Sequence, residues 1–244
     1  MINTEYIDSS GVESLLAQYD TNFVLTHESI NSISSLISLI FRATQDLEGA
    51  LSLQGIPVKL DYKEYEITFK NNVLEVFTGL FQGIPMIRSQ RTIIETLARL
   101  CLILQFNTLL SQGHRRNEPE VGTLEGAVTT RKVKTLTSKF SNQLKAIGCS
   151  EVAEYFDSLY TKLNGTTHGN PSTRYPEYFD DFLSRLHKQS DQSLIQFQAE
   201  LENCLFCIIF YAQKFINTRV LSRSDFAWLS KHSSISESSL SIIA

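Results

Sequence analysis

Arg88, Arg91, Glu95 and Arg99 are three or four residues apart, so on a helix they return to one narrow face. Three guanidiniums then surround one carboxylate. The same spacing also describes a solvated charged face, which many amphipathic helices carry. One and two turns further on, however, Leu102, Ile103 and Phe106 take over that side, so the stripe runs into a core. Charges beside a core are partly desolvated, which favours paired and functional groups over decorative ones.

His168 is the second candidate. It follows a helical pattern directly and sits among small polar residues, Asn164, Gly165, Thr166, Thr167 and Asn170. An imidazole there suits proton transfer near neutral pH, or it fastens the loop by a hydrogen bond to backbone; both readings stand. Lys162 adds a cation just upstream. Four cysteines are present, with Cys204 and Cys207 one helical turn apart, but Cys101 and Cys149 are solitary and no nearby histidine completes four zinc ligands. Reduced thiols, no metal and no cofactor are therefore expected. Arg131, Lys132, Lys134, Lys139 and Lys145, with His114, Arg115 and Arg116 ahead of them, form a basic cluster. No phosphate loop, dinucleotide fingerprint, nucleophile elbow or metalloprotease helix occurs in the chain.

The elements that must position these groups are helices. Apolar residues recur at three- and four-residue steps, and glycine and proline cluster at 55–57, 83–85, 113–122 and 165–176. The pattern predicts helices over about 27–53, 62–81, 85–110, 124–147, 151–163, 176–187 and 190–219. Thr26 is a candidate N-cap for the first, and Gly148 stops the fourth. Alternation near residues 58–69 also permits a small hairpin. The expectation is an all-α, up-and-down bundle of five to seven helices, one domain over 1–220, with a serine-rich tail over 221–244 in which Phe226, Trp228 and Leu229 suggest a short docked helix.

A net charge of −4 gives no global field for collecting polyanions, so any such contact must be local. The N-terminus lacks a basic segment followed by an apolar run, and the apolar stretches 93–106 and 204–216 fall short of a bilayer span. A cytoplasmic protein without membrane contact is expected. The apolar faces of the first and last long helices point to a homodimer.

The run Arg88-Ser-Gln-Arg91-Thr-Ile-Ile-Glu95 inside an apolar helix, together with Tyr160-Thr-Lys162-Leu163-Asn164-Gly-Thr-Thr-His168 at a helix end, resembles the HEPN-type helical proteins, particularly their abortive-infection and uncharacterised branches. The resemblance implies a dimerising helical bundle, often a metal-independent ribonuclease in toxin or anti-phage defence, with its active site near the dimer interface. RNA is the substrate it implies. In that chemistry His168 is acid or base, Arg88, Arg91 or Lys162 stabilises the phosphorane, and Glu95 orients an arginine. Catalytic members also carry an arginine shortly before the histidine, where this chain has Lys162. Either Arg91 supplies that cation from another helix or the site is inactive. The competing expectation is a non-catalytic interaction protein whose arginines, Glu95 and His168 form a structural polar network. A third expectation, compatible with either reading, is that the basic fourth helix docks an acidic protein, such as a cognate antitoxin or another defence-complex protein.

Overall fold

The computed structural model describes residues 27–53, 55–56, 60–81, 86–167, 190–236, 240–241 and 243. Within them the chain is all-helical: α1 His27–Leu53, α2 Leu60–Phe81, α3 Ile87–Ser111, α4 Pro119–Thr129, α5 Val133–Ala146, α6 Ser150–Thr167, α7 Ser190–Tyr211 and α8 Arg223–His232. A π-helical turn, Ala212–Ile216, extends α7. The expected segment 176–187 and the N-cap Thr26 lie outside the described residues, as does His168.

Two helices form the centre because they are apolar on every side. All residues from Cys101 to Thr108 on α3 and from Glu200 to Ala212 along α7 and its π turn are buried. α3 packs against α2, α4, α5, α6 and α7, while α1 lies along α7. These two central runs are longer than the apolar stretches suggest. By length and composition Ile87–Ser111 and Ser193–Ile216 could each cross a bilayer, yet 78% and 72% of their most apolar stretches are buried within the bundle.

The outer helices follow their amphipathic patterns. Ile33, Ile37, Ile40 and Leu47 of α1 and Leu136, Phe140 and Leu144 of α5 are buried at helical spacing. α5 ends in a Schellman motif: Gly148, at φ 93°, donates its N–H to Lys145 O, and Cys149 donates to Leu144 O at 2.8 Å.

Three expectations need correction. The helix expected over 124–147 is two helices, because Thr130 is extended (φ −65°, ψ 138°) and the chain turns through 130–132. With that break and the short α8 there are eight α-helices among the described residues, above the five to seven expected. The hairpin permitted near 58–69 does not form over 60–69, where α2 buries Tyr62, Phe69 and Val73 on one stripe. And α6 does not stop at Asn164–Gly165 but continues to Thr167. A glycine inside a helix costs about 1 kcal/mol against alanine, which neighbouring turns can absorb.

Beyond the π turn, Asn217 takes the left-handed conformation (φ 52°) and the chain doubles back. α8 opens with a capping box: Ser222 Oγ accepts from Asp225 N–H at 3.1 Å, and the Asp225 carboxylate accepts from Ser222 N–H. Asp225 also pairs with Arg42 of α1 at 3.0 Å. Leu229, Ile235, Leu240 and Ile243 join the core, so the serine-rich segment is partly packed onto the bundle. Buried Glu202 secures it, accepting from the Ser234 N–H at 2.8 Å. Replacing Ser222 with Ala should cost about 1 kcal/mol, a shift of roughly 2–4 °C in Tm for a chain this size. Thermal melts checked against Asp225→Ala, which loses the Arg42 pair as well and should fall further, measure the cap.

Candidate functional site

Arg91 stands where α3 passes α6. Its Nε donates to Glu95 Oε1 at 2.8 Å, one turn away, and the two side chains are 22% and 21% exposed. The guanidinium also lies over the ring of Tyr160, 5.6 Å from its centroid. Tyr160 is buried on α6, so a cation–π contact and an ion pair hold Arg91 from two directions. Among the described residues its two terminal nitrogens make no hydrogen bond. The structure thus joins the two sequence runs, 88–95 and 160–168, through the Arg91–Tyr160 contact. Asn164 lies one turn beyond Tyr160, and its Oδ1 is buried without a partner among the described residues.

The remaining cations do not gather around Glu95. Arg88 is exposed, one turn before Arg91. Arg99 turns away to α4, where Nη1 donates to Val128 O at 2.6 Å and Nη2 to Thr130 O at 2.8 Å. Its guanidinium also sits over the Tyr65 ring of α2 at 5.2 Å. Those carbonyls are helix-end acceptors without intrahelical partners, so Arg99 acts as a tertiary cap that ends α4. Lys162 is two residues from Tyr160, hence on a different side of α6, and donates to Gln196 Oε1 of α7 at 2.8 Å. The arc of three guanidiniums around one carboxylate expected from spacing is therefore one ion pair, one exposed arginine and one helix cap. The placement of Arg88, Arg91 and Glu95 relative to His168 lies outside the described residues.

Three buried acids, Glu66, Glu200 and Glu202, escaped the sequence reading, and Glu66 of α2 accepts from Lys70 Nζ at 2.6 Å. Glu200 is fully buried on α7, neither carboxylate oxygen has a hydrogen-bond partner among the described residues, and burial pushes its pKa up to about 8. Tyr155 of α6 and Cys204 lie within electrostatic reach of it, and burial raises both of their pKa values. Glu202, also buried, is instead bonded to Gln198 and Ser234. The signal was present: an acid inside a helix that is apolar on all sides has nowhere to reach water. Tyr160 was overlooked as a platform because a tyrosine on an apolar stripe reads as core.

Among the described residues no group of three or more His, Cys, Asp or Glu side chains is arranged to hold a metal ion. A cleft of about 100 Å³ beside the π turn is lined by Gln213, Val220, Arg223, Phe226 and Ile243, and none of the candidate residues borders it. Comparison of the chain with models of known protein families, with curated proteins and with solved structures gives no match.

Proposed function

We propose that this chain is a HEPN-like helical protein that holds an RNA phosphodiester at Arg91 and cleaves it without a metal, as a cytoplasmic homodimer in a toxin or anti-phage defence setting. The observation that carries the reading is the state of Arg91. Glu95 bonds its Nε and Tyr160 supports its face, which leaves the two terminal nitrogens, the edge that fits a phosphate, without a protein partner among the described residues. A preorganised cation of this kind stabilises charge as it develops.

The chemistry is an internal transfer. His168 takes the proton from the 2′-hydroxyl, the 2′-oxygen attacks phosphorus, and the bond from phosphorus to the 5′-oxygen breaks as that oxygen is protonated. The products are a 2′,3′-cyclic phosphate and a 5′-hydroxyl. Arg91 neutralises the phosphorane, and Glu95 fixes the angle of the guanidinium.

The second reading, a non-catalytic interaction protein with a structural polar network, is favoured by the bonds that engage Arg99 and Lys162 between helices. End-labelled RNA incubated with purified protein and a chelator separates the two. The proposal expects cleavage to persist, and to fall by roughly 10²- to 10³-fold in Arg91→Ala, the cost of removing one preorganised charge donor. His168→Ala should also be inactive while melting normally. Intact RNA, with both variants melting several degrees lower, leaves the structural network as the function.

A further inference from the structure

The chain's charge is unevenly distributed. Between Glu125 and Glu151 no acidic residue occurs, while Arg131, Lys132, Lys134, Lys139 and Lys145 contribute five positive charges to a protein whose net charge is −4. Lys145 is paired with Asp157 at 3.0 Å. Arg131, Lys132 and Lys134, at the turn between α4 and α5, are exposed and make no side-chain ion pair or hydrogen bond among the described residues. They also sit at the start of α5, whose first turn has no acidic residue and no side-chain cap. Cations at the positive end of a helix dipole are unfavourable, so these three charges are not there for the stability of α5.

This turn is fixed to the helix that carries Arg91. Arg99 holds the carbonyls of Val128 and Thr130, and Arg99 lies eight residues beyond Arg91 on α3, roughly 12 Å along the axis at 1.5 Å per residue. Basic groups thus stand at two stations along one helix: Arg88 and Arg91 near its start, and Arg131, Lys132 and Lys134 beside Arg99.

We infer that the α4–α5 turn is a second phosphate-contacting surface, which holds the strand of a single-stranded RNA flanking the phosphodiester at Arg91. The assignment of that phosphodiester rests on the function proposed above. An acidic protein fits the turn less well. Stable protein interfaces are anchored by apolar or aromatic side chains, and the exposed large hydrophobics among the described residues, Leu53, Ile67 and Ile195, all lie outside the turn. What the turn does offer is three exposed cations with the hydroxyl of Thr135 beside them, the hydroxyls of Thr129 and Thr130 being bonded to Glu125 O and the Lys132 N–H. That mixture contacts phosphates without reading bases.

The test is fluorescence anisotropy of a short labelled single-stranded RNA bound to the full chain, over a range of salt concentrations. The triple variant Arg131→Ala, Lys132→Ala, Lys134→Ala should melt no lower than the wild type, because the three side chains have no partners to lose and their charges oppose the helix dipole. Its binding should weaken at least tenfold at low salt, and its plot of log affinity against log salt should flatten by about 2, at roughly 0.7 per lost phosphate contact. The lost affinity should appear as a raised KM for cleavage. Arg91→Ala should instead lower cleavage by roughly 10²- to 10³-fold even at saturating RNA, with a flattening of at most about 0.7. If the wild type binds RNA through the turn without cutting it, the surface stands and the nuclease reading falls. An undiminished affinity and slope in the triple variant overturns the surface even if the protein cleaves RNA. So does binding of poly-glutamate as tight as that of RNA of equal charge, which would assign the turn to an acidic protein.

Discussion

Between pH 5 and pH 8.5 the melting temperature of the wild-type chain should fall by on the order of 10 °C, and Glu200→Gln should remove most of that fall. Glu200 is fully buried, without a hydrogen-bond partner among the described residues, and its pKa is raised from the ordinary 4.5 to about 8. Between those two values the folded chain keeps the proton and the unfolded chain releases it. Rising pH therefore favours unfolding. The stabilisation is complete below about pH 4.5, declines through neutrality and is gone above about pH 8, a total of roughly 5 kcal/mol at 1.36 kcal/mol per pKa unit. Tyr155 on α6 and Cys204 on α7 are its titratable neighbours, and burial keeps both neutral over this range. Glu200→Leu should go further and raise stability at pH 8, since an apolar side chain of similar bulk has no ionised form to bury. Melts of the three proteins across pH decide the matter: parallel curves would show that Glu200 reaches water in the folded chain.

Arg99→Ala should destabilise the protein by about 3 kcal/mol, two partly buried hydrogen bonds from a charged donor being lost together. The carbonyls of Val128 and Thr130 are left unsatisfied, and the ring of Tyr65 loses the cation above it. Arg99→Lys should recover less than half of this, because one ammonium cannot match the fork that reaches two carbonyls. Trypsin reports the local part of the effect. Arg131 and Lys132 lie in the turn that Arg99 holds, so cleavage there should accelerate in Arg99→Ala well beyond what the global loss of stability produces. Equal acceleration at all sites would mean that Arg99 supports the whole bundle rather than this turn.

The sequence disclosed what local periodicity controls. Ile33, Ile37 and Ile40 set the face of α1, and Leu136, Phe140 and Leu144, followed by Gly148, set both the face and the end of α5. It did not disclose what contacts distant in sequence decide. The break after Thr129 comes from a guanidinium some thirty residues away, and nothing local distinguishes Thr129–Thr130 from a polar patch on a continuous helix. For the candidate site, the pairing of Arg91 with Glu95 followed from their spacing. Its support by Tyr160 did not, because only the crossing of α3 and α6 makes a core tyrosine into a platform. Arg99 and Lys162 shared the charge and neighbourhood of Arg91, but the helix faces they occupy deliver them to other partners.

The four thiols give the molecule a built-in measure of its own breathing. Cys101 lies in the middle of α3, Cys149 at the start of α6, and Cys204 and Cys207 on α7, all of them buried and free. A thiol reagent in water can reach each one only when the helices around it separate. Its reaction rate, divided by that of an exposed cysteine, is then the fraction of time that part of the bundle stands open. Single-cysteine versions would resolve the opening of α3, α6 and α7 separately, and would show whether the two central helices part together or whether the edge of α6 yields first.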